Sequence, residues 1–190
     1  MHALNEVEKL KGHMETQDLG ENTNVGLTQI QTALISGALK WKQTTAGDVY
    51  KKLSKVYTVS ADRLVDEGFM EELRRKNYSR IPVYYGDKDR QLIFGILLTR
   101  SLIGLKLPSE GEPPLKVSDI ISRKMCKIKN PPYVKTETKT EHILQCFKQG
   151  QVHMSVLVKN PDQLVEEAEA VVNYLRAPED RKEEMKASLD

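Results

Sequence analysis

The chain has 190 residues, 39% of them hydrophobic and 29% charged, which allows one domain or two small ones with a real core and argues against wholesale disorder. A formal net charge of +2 supplies no basic stripe, so no nucleic-acid partner is expected. No stretch approaches the roughly 18 apolar residues of a membrane span, and the first residues are too polar for a signal peptide, so the polypeptide is expected to be soluble by itself.

Residues 1–26 are polar, with Gly12, Gly20 and Gly26, and predict an N-terminal extension holding at most a short helix at Leu4–Lys11. Leu27, Ile30, Leu34, Ala38 and Trp41 then recur at spacings of three and four, the face of a helix running to about Lys42. Thr45 predicts a cap for a helical turn from Ala46 to Leu53, with Asp48 three residues on in capping-box position. Val56, Tyr57 and Val59 read as a short β-like stretch. From Ala61-Asp62 a second helix is expected, with Leu64, Val65, Phe69 and Leu73 as its buried stripe and its end near Asn77.

The next stretch organises the chain. Arg80 to Tyr84 is an apolar strand signal, the polar turn Gly86-Asp87-Lys88-Asp89-Arg90 follows, and Leu92 to Leu98 is a second strand before a short helix near Arg100. A loop with proline and glycine, Leu107 to Leu115, closes this half. The second half then echoes the first. Lys116-Val117-Ser118-Asp119-Ile120 resembles Ala46-Gly47-Asp48-Val49 at an offset of 71, and Phe147 through Val158 resembles Leu73 through Tyr84 at 74. Two such units predict an internal pseudo-twofold with one shared core.

The second unit is incomplete. Where its closing strand belongs, Leu164, Val165, Ala168, Val171, Val172 and Leu175 fall at helical spacing, with Asn160 as a cap and Pro161 at the first helical position. A helix is expected there, with a degraded strand over Glu169–Leu175 as the alternative. Residues 162–190 hold nine acids against four bases, so about −5 of charge sits there and about +7 on the rest. Cys126 and Cys146, with no CxxC, read as two reduced thiols, Cys146 on the apolar side of its helix.

The string Asn77-Tyr78-Ser79-Arg80-Ile81-Pro82-Val83-Tyr84, with Gly95-Ile96-Leu97-Leu98-Thr99-Arg100-Ser101-Leu102 after it, resembles the first repeat of a paired cystathionine-β-synthase-type (CBS, or Bateman) module. More narrowly, it is similar to the module of the cyclin-M and magnesium/cobalt-efflux (hemolysin-like, DUF21-associated) transporters. Ile35-Ser36-Gly37-Ala38-Leu39 before Thr44 to Val49, and Phe147 to Gly150 with His153 to Val158, support the narrower likeness. The resemblance covers about residues 27–159. It implies an α/β (α+β) fold of paired β-α-β-β-α repeats with pseudo-twofold symmetry, the second repeat degenerate, and flanking helices. On that basis 1–26 is an extension, 27–106 the first repeat with its leading helix, 107–115 the inter-repeat loop, 116–160 the second, incomplete repeat, and 161–190 an acidic helix or tail.

The resemblance further implies a homodimer, a transmembrane transporter domain in the parent protein, a place on the cytosolic face of a membrane, and ATP or AMP with magnesium between the repeats. No tightly bound metal is expected. The nucleotide-binding candidates are Ser79, Arg80, Ile81, Pro82, Thr99 and Ser101. Arg80, at the start of a buried strand, suits bidentate pairing with a phosphate; Ser79 adds a hydroxyl and Pro82 shapes an adenine pocket. Thr99 and Ser101 stand where such modules place a Thr/Ser and then an Asp on the ribose. A hydroxyl at 101 does not accept two hydrogen bonds as a carboxylate does, which predicts weaker ribose recognition.

In the cyclin-M branch a phosphatase docks on the inter-repeat loop, which places Glu110 and Glu112 as the docking candidates. HExxH, P-loop and GxGxxG patterns are missing from the sequence, and His142 and His153 have no nucleophile arranged beside them, so no enzyme is expected. Two readings remain open: a regulatory nucleotide-sensing module of a divalent-cation transporter, and a non-sensing dimerisation or protein-interaction scaffold that kept the fold.

Overall fold

The computed structural model describes residues 28–86, 92–109, 111–150 and 152–186. The helix expected at Leu4–Lys11, the turn residues Asp87 to Arg90 and the candidate Glu110 lie outside them.

Helix α1, Gln29–Gln43, begins at a full capping box: Thr28 Oγ1 accepts from Gln31 N–H at 3.3 Å and Gln31 Oε1 accepts from Thr28 N–H at 2.8 Å. Its apolar face is open, with Ile30 74% and Leu34 67% exposed. Helix α2, Ala46–Val49, carries the capping box expected of Thr45 and Asp48. It is shorter than expected. Tyr50 is extended at ψ 155°, so the helix stops, and Leu53–Lys55 form a separate 3-10 turn.

Strand β1 is Val59–Ser60 and helix α3 is Glu67–Lys76. The expectation that α3 starts at Ala61-Asp62 is wrong by five residues, and Leu64 is 43% exposed rather than in the stripe. The backbone there is committed elsewhere: Ala61 and Arg63 carbonyls accept from Ser118 and Val117 N–H, and Val65 N–H donates to Leu115 O. Asp66 therefore caps α3, accepting from Phe69 N–H at 2.7 Å, and Asn77 ends it in the left-handed region at φ 53°. Phe69 and Leu73 form its buried side, as the spacing indicated.

Strand β2, Arg80–Tyr85, pairs parallel with β1 and antiparallel with β3, Leu92–Leu98, with a register shift at Val83/Tyr84. Thr99–Leu102 is a 3-10 turn. In the second half come α4 (Val117–Ser122), β4 (Ile128–Lys129), β5 (Tyr133–Val134), α5 (Thr140–Gly150) and β6 (Val156–Leu157). β4 joins the first sheet, giving the order β1-β2-β3-β4, while β5 and β6 form a parallel pair of their own. Val59 with Val83 in the first unit corresponds to Tyr133 with Val156 in the second, the same parallel pairing after the same helix.

The two units exchange their leading helices. Ala46 and Gly47 N–H donate to Thr138 and Thr136 carbonyls of the second unit, and Val117 and Ser118 N–H donate to Arg63 and Ala61 carbonyls of the first. Two isolated antiparallel bridges, Thr45 with Lys139 and Leu64 with Lys116, repeat the relation. Gly47 permits the close approach: a Cβ there would lie 2.5 Å from Thr136 Cγ2.

Helix α6, Pro161–Arg176, is the helix expected for the C-terminal stretch, with Pro161 in its first turn; Asn160 sits at the cap position without a side-chain bond. A short charged helix α7, Glu179–Lys186, follows. Ala168, Val171, Val172 and Leu175 of α6 are buried and belong to a large core with Phe69, Ile81, Phe94, Leu97 and Ile120. A second, small cluster holds Ala46, Val134 and Ile143. The expectation of one shared core gives way to two unequal ones, because α6 packs on β3 and enlarges the first while the second keeps a two-stranded sheet.

Candidate functional site

The exchanged helices leave a cleft of about 920 Å³ between the units. Its walls are apolar at depth, with Ala46 and Ile93 facing Val134, Ile143, Phe147 and Leu157 of the second unit. Towards the mouth they become aromatic and basic. Trp41, Tyr50, Tyr57 and Tyr78 supply the rings, Lys51, Lys52, Lys55 and Arg80 the charges, and no aspartate or glutamate is among the described lining residues. A concave apolar site with a few cations and no carboxylate is complementary to a flat apolar group that carries negative charge.

The aromatic wall is ordered by its own contacts. Tyr57 and Tyr78 rings lie 5.9 Å apart, and Lys76 Nζ sits 5.4 Å from the centre of the Tyr57 ring. Burial, with a hydrogen bond to Glu72, pushes the Tyr57 phenol up to about 12, so the hydroxyl stays a donor at neutral pH.

Arg80 enters the cleft from the first residue of β2, and Pro82 lines it two residues on, where the strand's period of two returns to the same face. Arg80 Nη2 lies 3.3 Å from His153 Nδ1 of the second unit. Arg80 Nε is buried and has no hydrogen-bond partner. An unmet donor on a guanidinium edge, at the seam of two units, fits an oxyanion acceptor.

The other nucleotide candidates stand elsewhere. Ile81 is 1% exposed, on the core side of β2. Thr99 Oγ1 donates to Tyr78 O at 2.7 Å, and Thr99 N–H donates to Ser79 O, which ties Ser79 and Thr99 together at the end of the hairpin. Ser101 Oγ donates to Leu98 O at 2.6 Å and accepts from Lys127 N–H at 2.8 Å, so the hydroxyl bonds within the fold. Ser79, Ile81, Thr99 and Ser101 are not part of the cleft lining. In the inter-repeat loop, Glu112 Oε2 accepts from Ser109 N–H at 2.8 Å.

Tyr50, Lys51, Lys52 and Lys55 line the cleft and were passed over in the sequence, and His153, weighed there only as a catalytic histidine and as part of the second-repeat motif, instead contacts Arg80. The run Tyr50-Lys51-Lys52 with Lys55 was the available signal, a basic, aromatic stretch directly after the capped turn. Among the described residues no group of three or more His, Cys, Asp or Glu side chains is placed to hold a metal ion. Cys126 and Cys146 are free thiols, both half-buried, and burial raises Cys126 to about 11.

The family model of the CBS domain matches residues 46–107. This is a CBS-domain chain. Among curated proteins, a DUF21 domain-containing protein of Arabidopsis thaliana is 27% identical over 175 residues, covering 86% of the chain and 38% of the relative. A putative DUF21 domain-containing protein of the same plant is 32% identical over 136 residues, 72% of the chain and 25% of the relative. The CBS chain thus spans well under half the length of these relatives. Among solved structures, the CBS domain of a bacterial CNNM/CorC family Mg²⁺ transporter superposes with a TM-score of 0.57 at 15% identity, covering 85% of the chain and 93% of that structure. The same kind of domain solved in complex with ATP gives 0.51 at 16% identity, over 71% and 93%. At these identities the likeness is one of fold: the mixed α/β architecture is that of the CBS pair.

Proposed function

We propose that this CBS pair is the regulatory module of a divalent-cation membrane transporter of the magnesium/cobalt type, and that it binds an adenine nucleotide in the cleft between its units. The observation that carries the reading is the lining itself: a ring-bearing, apolar interior with four cations and no carboxylate among the described lining residues. The base would enter between the aromatic rings and the apolar wall of α5, and the phosphates would meet Arg80 and the lysines of 51–55. Support also comes from the solved ATP complex of a transporter CBS domain of the same fold. Magnesium would arrive with the nucleotide, since the described residues offer no metal-ligand cluster.

The mechanism is population shift. A ligand that touches Arg80 on one unit and α5 on the other binds best at one relation of the two, and that preference passes to a transporter domain in the parent protein. The module would work on the cytosolic face, as a homodimer using open apolar surface such as Ile30 and Leu34 of α1. No helix among the described residues is long and apolar enough to cross a membrane. The assignment is to regulation rather than catalysis.

Isothermal titration with magnesium-ATP, ATP and AMP tests the reading. Binding that is lost in Arg80→Ala is the expected result, and no heat at millimolar ligand overturns it. The second reading, a non-sensing scaffold, draws on Ser101, whose hydroxyl bonds inside the fold where a ribose-binding acid would stand. A protein partner such as a phosphatase would then dock at the 107–115 loop, through Glu110 and Glu112. A pull-down in which Glu112→Ala and Glu110→Ala change nothing removes the loop from consideration.

A further inference from the structure

The pairing of Arg80 with His153 joins two units through side chains 73 residues apart. Arginine only donates, so His153 Nδ1 is the acceptor. In a guanidinium, Nε and Nη2 lie on one edge and project two nearly parallel N–H bonds, the edge a carboxylate or phosphate takes side-on. Here that edge is half used. Nη2 rests on an imidazole nitrogen at 3.3 Å, a long contact, and Nε is buried with no partner. Among the described residues no carboxylate forms an ion pair with Arg80. The other cations of the described lining are Lys51, Lys52 and Lys55, which add to an anion's attraction rather than oppose it.

Resting on the reading that the cleft takes a phosphate-bearing ligand, we infer that Arg80 and His153 form a latch across the two units, which an oxyanion opens by taking the Nε–Nη2 edge and displacing His153. The exchange replaces one long N–H···N contact with two charge-assisted N–H···O⁻ bonds and meets the orphaned Nε donor. His153 is exposed, so its ring has water to turn into. Its segment matters more than its ring. Val152 before it is buried, Met154 and Ser155 after it line the cleft, and Val156 begins β6, so freeing His153 releases the segment that feeds the second unit's strand pair. The edge of the His153 ring against Phe147, at 6.2 Å between centres, belongs to the second unit alone and survives the opening.

The sign of one substitution decides between a latch and a ligand contact. A residue that helps hold the anion weakens binding when removed, whereas a residue that competes for Arg80 strengthens it. The probes are pyrophosphate, which has no base or ribose, and magnesium-ATP, measured by calorimetry on the wild-type chain, His153→Phe, His153→Ala and Arg80→Ala. His153→Phe keeps a ring against Phe147 and lacks the acceptor, which separates loss of the latch from loss of packing. Expected is a gain of about three- to tenfold in pyrophosphate affinity for both His153 variants, the factor of one net hydrogen bond, and loss of binding in Arg80→Ala. Unchanged or weaker affinity in His153→Phe overturns the inference, as does no pyrophosphate binding to any of the chains. Tightened pyrophosphate with no magnesium-ATP binding removes the nucleotide reading and leaves the latch; magnesium-ATP binding without tightening does the reverse.

Discussion

Leu175→Ala tests whether the C-terminal helix is a structural part of the first unit or an appended tail. Leu175 is 5% exposed and sits in the large core with Ala168, Val171 and Val172 of the same helix. α6 packs on β3, α4 and β5, so it touches both sheets. Truncating a buried leucine costs about 2–5 kcal/mol, the larger values where neighbours do not collapse into the space. α6 lies on the outside of the sheet and can settle inwards, which places Leu175→Ala near the lower end, about 2–3 kcal/mol. For a chain of this length about 1 kcal/mol moves the melting temperature by about 2–4 °C, so a drop of roughly 4–12 °C is expected. Circular dichroism melts and urea titration read it, with the midpoint moved and the slope kept. Val165→Ala, on the same helix but 39% exposed, is the control and should stay within about 0.5 kcal/mol. Equal losses in the two variants, or a chain ending at residue 160 that melts like the parent, would refute the reasoning.

Three more outcomes follow from the geometry. Gly47→Ala places a methyl 2.5 Å from Thr136 Cγ2 and 3.3 Å from Thr136 O, at the backbone exchange between units. A loss of about 1–3 kcal/mol in urea titration is expected, and an unchanged midpoint would show that the crossing relaxes freely. Tyr133→Phe removes the 2.6 Å bond from Tyr133 Oη to Ile93 O, which ties β5 to β3, and should cost about 1 kcal/mol; no change would mean that the hydroxyl contributes nothing to joining the sheets. Burial raises Cys126 to about 11 and Tyr57 and Tyr133 to about 12, each from about two pH units lower. For such acids the fold favours the protonated form, so their contribution is whole below the ordinary value and lost as pH climbs to the raised one. Stability should therefore fall between about pH 9 and 12, and a flat urea midpoint across that window would contradict the burial argument.

The hairpin was legible because its residues act locally. Arg80 to Tyr84 and Leu92 to Leu98 are runs of Ile, Val, Leu, Tyr and Phe between turn residues, and both strands form there, the first one residue longer than expected. The same holds for Thr45 with Asp48, a capping box read from four residues and found. What the sequence hid depends on distant partners. Ala61 and Asp62 have nothing against a helix in themselves; they form a turn closed by Arg63 N–H on Ser60 O, and the carbonyls of Ala61 and Arg63 are taken by Ser118 and Val117 rather than by a helix. The open face of α1 is likewise invisible in a periodicity that marks apolar residues without saying what covers them. At the site, Arg80 and Pro82 were named from the family resemblance, and strand alternation brings those two of the six candidates to the cleft side. The meeting of His153 with Arg80 could not be read, since it joins residues 73 positions apart on different units.

The asymmetry between the units bears on which of them can respond. The first unit supplies three strands of a four-stranded sheet that β4 of the second completes, and its large core is reinforced by α4 and α6; β5 and β6 of the second form a two-stranded pair over a cluster of three buried residues, one of them Ala46 of the first. A strain shared between a stiff body and a thin one is taken up by the thin one, because local opening costs least where few apolar contacts must part. Arg80 stands on the stiff unit, at the start of a strand paired on both sides, while His153 stands on the thin one, just before a strand two residues long. A ligand held by Arg80 would therefore keep its place on the first unit and spend its preference on moving the second. That direction of response follows from where the buried residues are and does not depend on which anion binds.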